Sequence, residues 1–279
     1  MRRIVSILLV CLALVLGLFF YTRCFSFTGF RIIFFNVGQG DSALIQFDNG
    51  QKMLVDCGPD RKVLSKLGKY LPFYDRTIDY LLVTHFDNDH YGGCADVIKR
   101  YRIGTIIENG VKKEGDSYWM VWNEKNKEKG IKNKVINGNE VVSIASTTLE
   151  FFSPDSGLRM SEKDKDSNNL SIVFKLVHAS TTALFMGDAE IPLEQAIIQK
   201  YCNNSTSCPA IRVNYLKIGH HGSDSSSGDD FLAAVSPKMA VISVGKNTFG
   251  HPSLRILKHL ERLEIEAWKT DEKGDIIIK

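Results

Sequence analysis

Apolar and polar residues alternate along this chain with two different periods. Short apolar runs with a period of two predict strands, whereas apolar residues three or four apart predict helices. The first strands follow one another through tight turns, one of them the hairpin signal Asp48-Asn49-Gly50. We expect strands at 32–37, 43–47, 52–55, 78–84, 103–108, 141–144, 148–152, 171–177, 182–186, 213–218, 239–244 and 275–279. We expect helices at 61–70, 91–101 and 229–235, from residue 191 onward, and around Leu254, Leu257 and Leu260.

The order of these elements predicts the fold class. Strands come first in hairpins and later alternate with helices, and this order occurs twice. It suits an α+β fold in which two sheets pack face to face with helices outside, a four-layer αββα sandwich. No linker is visible after residue 30, so residues 26–279 are expected to form one domain. Residues 109–134 break the pattern with a charged and aromatic insertion that carries seven lysines against four acidic residues.

The N-terminus has the composition of a membrane segment. Residues 4–21 form an uncharged run of 18 residues after Arg2 and Arg3. At ~1.5 Å per residue, a helix of this length just spans a hydrocarbon core of roughly 30 Å. The two arginines favour a cytoplasmic N-terminus. We therefore expect residues 1–25 to be a transmembrane anchor or a signal segment, with the following domain held outside the cytoplasm, or secreted if the N-terminus is cleaved.

The charge balance limits the partners of the chain. It has 35 basic and 32 acidic residues, and three of the basic ones lie in the first 25 residues, which contain no acid. The remainder therefore has equal numbers of both signs. This excludes a globally basic surface for nucleic acid and leaves only local patches. With 44% hydrophobic and 24% charged residues, a disordered chain is excluded as well.

The six cysteines show no C-x-x-C arrangement, so the sequence does not support a structural zinc site. Cys202 and Cys208 bracket a turn-like polar loop and can pair in an oxidising compartment, but the sequence leaves this pairing open. Cys57 and Cys94 lie among apolar and glycine residues. We expect these two to be buried thiols.

The residues with metal-binding chemistry follow three of the predicted strands. Four potential ligands fall within the six residues from His85 to His90, directly after a buried strand. Asp188 and the pair His220-His221 follow two other strands. Imidazole nitrogens and carboxylate oxygens suit zinc, manganese or iron. Ligands from three strand ends are too many for one ion, so we expect a two-metal centre at the edges of the sheets.

The six-residue segment is similar to the signature of a known fold. His85-x-Asp87-x-Asp89-His90 resembles the H-x-H-x-D-H signature of the metallo-β-lactamase fold, with its second His replaced by Asp. From about Phe30 to the C-terminus, the order of motifs resembles the hydrolase domain of the ComEC-like DNA-internalisation competence proteins. The motifs are Asn36-Val37-Gly38-Gln39-Gly40-Asp41-Ser42, Val55-Asp56-Cys57-Gly58, Asn169-x-Ser171, Gly187-Asp188, Gly219-His220-His221-Gly222-Ser223 and Gly250-His251-Pro252.

This resemblance implies two divalent metal ions, Zn²⁺ or Mn²⁺, with one carboxylate bridging them. Asp56 and Asp41 would orient the ligands by hydrogen bonds. Where many relatives supply another His, this chain has Asn168-Asn169 after Asp164 and Asp166, so Asn169 is expected beside the ligands rather than among them. The implied ligands are His85, Asp87, Asp89, His90, the bridging Asp188 and His220, with His221 as the rival of His220.

The same resemblance implies roles in hydrolysis of a phosphodiester. Two metals about 3.5 to 4 Å apart lower the pKa of a bridging water. Asp89 would accept its proton, His221 or His251 would protonate the leaving oxygen, and Ser223 would donate a hydrogen bond to a phosphate oxygen. In the insertion, lysines would meet the backbone of a single strand and tryptophans would stack on its bases, unless the insertion is only a solvated lobe. These residues are Lys112, Lys113, Trp119 and Trp122.

Three functions remain open at this stage. The leading hypothesis is a phosphodiesterase or nuclease that acts on DNA outside the cytoplasmic membrane. A second is an extracellular esterase of small or cell-wall phosphodiesters, which the balanced charge favours. A third, motivated by Asn169, is a non-catalytic membrane-anchored binding protein. Since the chain has one apolar segment at most, we expect DNA transport to need a separate channel protein.

Overall fold

A computed structural model of the chain describes residues 2–25, 29–113, 115–158, 160, 166–205 and 207–279. It begins with the helix α1, Arg2–Phe25. Within the described ranges, no helix combines the length and the apolar composition that crossing a membrane requires. The anchor predicted for residues 1–25 is therefore not confirmed. The predicted domain boundary at residue 26 and the acidic residue Asp164 lie outside the described residues.

The first sheet has seven strands and two kinds of pairing. Its strands are β1 (Arg31–Phe34), β2 (Ala43–Gln46), β3 (Lys52–Val55), β4 (Thr77–Leu82), β5 (Arg102–Glu108), β6 (Lys132–Val135) and, from the C-terminus, β14 (Ile276–Ile278). Their order is β14-β1-β2-β3-β4-β5-β6. The pairs from β14 to β3 are antiparallel, and those from β3 to β6 are parallel. The antiparallel strands β1, β2 and β3 follow one another along the chain, and β14 joins them from the C-terminus, whereas each parallel pair is connected through one or two helices.

The second sheet repeats this arrangement. Its strands are β7 (Val141–Ile144), β8 (Thr147–Ser153), β9 (Val173–His178), β10 (Thr181–Phe185), β11 (Tyr215–Lys217), β12 (Met239–Ile242) and β13 (Glu266–Lys269). They lie in the order β13-β12-β11-β10-β9-β8-β7. The pairs from β7 to β10 are antiparallel and those from β10 to β13 parallel. The sequence did not predict β13, because charged residues at both its ends hide so short a strand.

Three apolar layers hold the sandwich together. Between the sheets, Phe174 stacks on Phe185 with ring centroids 4.6 Å apart, and Phe34 of the first sheet lies 5.5 Å from Phe185. Helices cover both outer faces through two further clusters of buried residues. The predicted α+β fold with two sheets inside and helices outside is therefore confirmed. The remaining helices are α2 (Lys62–Tyr70), α3 (Asn88–Tyr91), α4 (Cys94–Arg100), α5 (Ser117–Lys129), α6 (Ile191–Cys202), α7 (Asp229–Val235), α8 (Leu254–Arg262) and α9 (Thr270–Lys273).

The insertion predicted at 109–134 is a regular part of the fold. It contains α5 and β6, and β6 extends the parallel half of the first sheet. Asp116 caps α5 by accepting a hydrogen bond from the backbone N–H of Trp119 at 3.0 Å, and Gly130 ends it in the left-handed conformation. The exposed positions of α5 include the apolar residues Tyr118, Met120 and Val121, so its apolar residues do not mark one face of a helix, and the prediction of a break in the pattern was wrong.

The helix predicted at 91–101 is divided into α3 and α4 at two glycines. A Cβ atom on Gly92 would lie 2.4 Å from the carbonyl oxygen of Pro59, and one on Gly93 would lie 2.5 Å from that of Cys57. Only glycine permits this approach. It brings Cys94 next to Cys57, and the two form a disulfide, so the prediction of two buried thiols was wrong. The second pair left open by the sequence, Cys202 with Cys208, is also a disulfide.

Candidate metal centre

The candidate site lies where strands of both sheets end. Asp56 follows β3 and His85 comes soon after β4 in the first sheet, whereas Asp188 follows β10 and the pair His220-His221 follows β11 in the second. Each of these strands belongs to the parallel part of its sheet or borders it, so their carboxyl ends meet at one edge of the sandwich. The three strand ends predicted to share a site are brought together.

Asp188 is the centre of this cluster. Its side chain is 4% exposed, and its Oδ1 lies 3.0 Å from Nε2 of His90. Its Oδ2 lies 3.6 Å from Nε2 of His221, 3.9 Å from Nε2 of His220 and 4.0 Å from Nε2 of His85. Four imidazoles therefore present the same ring nitrogen to one buried carboxylate. Burial opposes ionisation, but the nearby imidazoles, foremost His90 and His221, hold the pKa of Asp188 well below its usual value.

Four residues place their ligand atoms within 4.8 Å of one another: Asp89, His90, Asp188 and His221. The set contains two imidazole nitrogens and two carboxylate oxygens, which zinc and manganese both accept. Apart from their 3.0 Å contact with each other, Nε2 of His90 and Oδ1 of Asp188 are buried without a hydrogen bond from any part of the chain that the structure describes. Because buried polar atoms normally have a partner, these atoms fit a cation at this position.

Other groups fix the imidazoles in the orientation that a ligand needs. Nδ1 of His90 lies 2.9 Å from Oδ2 of Asp56, which also accepts a hydrogen bond from the hydroxyl of Thr84 at 2.8 Å. Nδ1 of His221 lies 2.9 Å from the carbonyl oxygen of Ser243. A carbonyl oxygen can only accept a hydrogen bond, so Nδ1 must be the donor. In each ring Nδ1 therefore carries the hydrogen and Nε2 has its lone pair free for a metal. Asp56 lies where the sequence predicted it, behind a ligand.

Asp41 supports His221 from behind. Its Oδ1 lies 3.3 Å from Nδ1 of His221, and its Oδ2 lies 2.5 Å from the ammonium group of Lys217. Burial opposes ionisation of Asp41, but Lys217 and His221 outweigh it and lower its pKa. Burial likewise opposes protonation of His221, but Asp188, Asp41 and Asp89 raise its pKa to about 10. This surplus of negative charge around the imidazoles would also favour a divalent cation.

The second metal position, predicted at His85 and Asp87, is less compact. Nε2 of His85 lies 3.6 Å from Oδ2 of Asp87 and is buried without a hydrogen bond among the described residues. The ammonium group of Lys113 and the hydroxyl of Ser167 both contact Oδ1 of Asp87. Asn169 is buried, and its Oδ1 accepts a hydrogen bond from the backbone N–H of Glu190 at 3.1 Å. Asn169 thus contacts the segment that follows the candidate ligand Asp188, and its predicted place beside the ligands stays a prediction.

Glu190 is a site residue that the sequence analysis missed. Its Oε1 lies 2.9 Å from Nδ1 of His220 and accepts a hydrogen bond from the hydroxyl of Ser225 at 2.6 Å. The hydroxyl oxygen of Ser225 lies 2.9 Å from that of Ser223, the residue predicted to contact phosphate. In the sequence, the position of Glu190 two residues after Asp188 was the signal that could have identified it as a site residue. Lys217 was also missed, although a lysine within an apolar strand next to a glycine-histidine motif is unusual.

His251 reaches the site from the loop after β12. Its ring is half-buried, with its centroid 5.4 Å from that of His220 and 6.5 Å from that of His221. Burial, together with the two neighbouring histidines, lowers the pKa of His251. Its backbone is held on both sides by the carboxamide of Asn247. The predicted proton donor is therefore next to the candidate metal ligands.

The predicted strand-binding residues have different environments. Lys113 contacts Asp87 at the candidate centre, Lys112 is exposed, and Trp119 is half-buried. Trp122 is only 2% exposed and packs in the core between α5 and the first sheet. The prediction that Trp122 stacks on a base is corrected accordingly, because its ring has no exposed face of sufficient area. The other three residues remain candidates.

The fold and the site together define a class. A model of the metallo-beta-lactamase superfamily matches residues 35–246. The chain therefore belongs to this superfamily and has the fold of its metal-dependent hydrolases. Zn²⁺-bound PqqB from Methylobacterium extorquens superposes with a TM-score of 0.60 over 89% of this chain and 99% of that protein, at 11% identity, which is a likeness of fold alone.

The sequence has relatives of a particular kind. It is 27% identical to ComE operon protein 3 of Bacillus subtilis over 96% of this chain and 35% of that protein. It is also 27% identical to competence protein ComA of Neisseria gonorrhoeae, over 86% of this chain and 30% of that protein. The resemblance to the ComEC-like competence proteins is thus confirmed. The chain spans about a third of the length of these relatives.

Proposed function

We propose that this chain is a metal-dependent phosphodiesterase that cleaves DNA outside the cytoplasmic membrane. The observation that carries the proposal is Asp188, a buried carboxylate within 4.0 Å of the ring nitrogens of four histidines. A carboxylate in this position is suited to act as a ligand shared by two divalent cations. The similarity to competence proteins of two bacteria supports DNA as the substrate.

The donor set indicates how two ions would be held. Asp89, His90 and His221 would hold one ion, His85 and Asp87 the other, and Asp188 would be shared. Zn²⁺ in PqqB supports zinc, and the carboxylate-rich set also suits Mn²⁺. Bound ions would supply Lewis acidity to the phosphodiester and lower the pKa of the attacking water.

The side chains of the chain itself would move the protons. Asp89, whose side chain is 35% exposed, faces the solvent side of the cluster and would accept the proton of the attacking water. His251 would donate a proton to the leaving oxygen as the phosphorus–oxygen bond breaks. Ser223 would donate its hydroxyl hydrogen to a non-bridging phosphate oxygen, since the Ser225–Glu190 pair fixes the loop that carries it.

The two disulfides support a location outside the cytoplasm. Cys57–Cys94 and Cys202–Cys208 would both be stable in an oxidising compartment and are rare elsewhere. We further propose that residues 1–25 attach the domain to the membrane or direct its export. DNA that crosses the membrane would then use a separate channel protein.

A second candidate substrate is a small or cell-wall phosphodiester. The equal numbers of acidic and basic residues after residue 25 favour it, because a polyanionic strand prefers a basic surface. The two substrates differ in their dependence on salt. Cleavage of a DNA strand would weaken steeply between 50 and 200 mM salt, roughly by 10³-fold or more if six phosphates are contacted, whereas cleavage of a small ester would change little.

The test uses the purified chain, residues 1–279, with Zn²⁺ or Mn²⁺ added. Bound metal is measured by mass spectrometry, and hydrolysis is measured with bis-p-nitrophenyl phosphate and with single-stranded DNA. We expect about two metals per chain and cleavage of both substrates. Asp188→Asn should lose the metal and the activity, while Asp60→Asn, an exposed carboxylate on the same sheet edge, should keep both. A metal-loaded wild-type protein that cleaves neither substrate would exclude a phosphodiesterase.

A further inference from the structure

A cavity of about 700 Å³ lies beside the candidate metal centre, between α5 and the carboxyl ends of β5 and β6. Its size falls within the range of roughly 300 to 1,000 Å³ that is usual for small-molecule sites. Neither the predicted catalysis nor the predicted metal ligands use it. Its polar and aromatic lining includes Lys112, Trp119, Asn123, Asn126, Lys127 and Asn133.

Asn126 gives this cavity a recognition group. The residue is 6% exposed, and its Oδ1 is buried and accepts no hydrogen bond within the described part of the chain. Leaving a carboxamide oxygen unpaired in this way is costly, so a ligand that donates a hydrogen bond is expected there. Asn123 adds a further carboxamide to the lining, while Nδ2 of Asn133 donates to Oε1 of Glu108, also a lining residue, at 3.1 Å. A carboxamide offers an acceptor and two donors in one plane, which matches the edge of a nucleobase.

Aromatic and basic groups complete a nucleotide site. Trp119 is half-buried, so part of its indole ring remains available at the cavity. An indole face stacks on any of the four bases. Lys112 and Lys127 are exposed and would meet the phosphate that accompanies a base.

The cavity and the metal centre share one loop. Lys112 lines the cavity, and the adjacent Lys113 contacts Asp87, a candidate ligand. Asn109 fixes the loop, because its Nδ2 donates to the carbonyl oxygen of Leu170 and its Oδ1 accepts from the backbone N–H of Val111. A strand that placed a phosphate near Asp87 would therefore have this cavity within reach of a neighbouring nucleotide.

We propose that the cavity binds a nucleobase of the substrate strand, next to the phosphodiester that is cleaved. Trp119 stacks on the base, and Asn126 accepts a hydrogen bond from its edge. The inference rests on the proposed function for the identity of the substrate, but binding of a nucleotide is testable without cleavage.

The test is calorimetric titration of residues 1–279 with the four deoxynucleoside monophosphates, which contain no diester, and with inorganic phosphate at equal ionic strength. We expect nucleotides to bind at least about tenfold more tightly than phosphate, because stacking contributes roughly 1 to 3 kcal/mol per base. Trp119→Leu and Asn126→Leu should each weaken nucleotide binding by about tenfold. Lys127→Ala should weaken it as well. Lys125→Ala is the matched control, because Lys125 lies two residues away on the same helix and outside the cavity lining. This variant should bind nucleotides as tightly as the wild type does.

Two results would overturn the proposal. One is equal affinity for nucleotides and phosphate, which would indicate phosphate binding alone. The other is unchanged nucleotide affinity in both Trp119→Leu and Lys127→Ala, the two variants that leave buried Asn126 in place. If the chain binds nucleotides through these residues yet cleaves no diester, the proposed function fails and the nucleotide site stands. If the chain cleaves DNA and the cavity variants bind nucleotides as the wild type does, the proposed function stands and the nucleotide site fails.

Discussion

Nε2 of His221 lies 3.0 Å from Oδ2 of Asp89, although the two residues are 132 positions apart in the sequence. His220 is adjacent to His221 in the chain, yet its Nε2 is 3.9 Å from the nearer oxygen of Asp188 and does not join the compact set of ligand atoms. The geometry therefore favours His221 over His220 as the ligand beside Asp89, reversing the preference that the resemblance implied.

Replacing each histidine in turn tests this choice. We expect His221→Ala to lower zinc affinity by more than about 100-fold, and His220→Ala by about tenfold, because a group behind or beside the ligands typically contributes 10- to 100-fold. Competition with a chromogenic chelator measures both affinities. A larger loss in His220→Ala would reassign the ligand.

Replacing Asp56 tests whether its carboxylate orients the ring of His90 for metal binding. Its carboxylate is 2.9 Å from Nδ1 of His90, so Asp56→Asn replaces a strong acceptor with a weaker one and should lower zinc affinity by about 10- to 100-fold. Asp79→Asn is the control, because that carboxylate accepts a hydrogen bond from the backbone of Lys52 instead of a histidine. Comparable losses in both variants would indicate general destabilisation and contradict an orienting role.

The two disulfides should differ in their contribution to stability. Cys57–Cys94 closes a separation of 37 residues and Cys202–Cys208 one of 6. Loop-closure entropy assigns them about 4 and about 2 kcal/mol, respectively. Urea unfolding of the two double Cys→Ala variants measures the difference. If both variants lost the same free energy of unfolding, the chain entropy of the unfolded state would not be what determines how much each disulfide stabilises the protein.

Glu194 should make stability depend on pH. It is 1% exposed, and burial raises its pKa from 4.5 to about 7, although the backbone N–H groups of Gly228 and Ser227 oppose the shift. The folded state therefore holds the proton more tightly than the unfolded state. This contribution is complete below about pH 4.5 and is lost as the pH rises through about 7, with a decrease of up to about 3 kcal/mol in the free energy of unfolding.

Urea unfolding at pH 5 and pH 8 checks this slope. Glu194→Gln cannot ionise, so the part of the decrease that comes from Glu194 should disappear. Glu261→Gln, an exposed residue on α8, should retain the slope of the wild type. An unchanged slope in Glu194→Gln would assign the pH dependence to other groups.

The sequence was sufficient to predict the sandwich and the strand ends that meet. Alternation of apolar residues located most strands, and His85, His90 and Asp188 each follow one directly or within a few residues. The carboxyl ends of neighbouring strands lie at one edge, so these residues could be expected together. In α5, by contrast, the apolar residues Tyr118, Met120 and Val121 are exposed and only Trp122 and Asn126 are buried, so the helical period was too weak to detect.

The sequence could not predict features that depend on the path of a turn. His220 and His221 both have positive φ, 45° and 53°, and this conformation decides which ring faces Asp89. The Cys57–Cys94 disulfide depends on the approach of two loops at Gly92 and Gly93. Neither arrangement follows from the spacing of residues along the chain.

The division of the ligands between the two sheets links occupancy of the site to completion of folding. Asp89 and His90 belong to the first half of the chain, Asp188 and His221 to the second, so a half-folded molecule would not retain a metal ion at this cluster. A ligand that binds only the native state adds about 2.7 kcal/mol of stability at 100 times its dissociation constant. Where divalent ions are scarce, the protein would therefore become both inactive and easier for proteases to degrade, so that metal supply would set its lifetime as well as its activity.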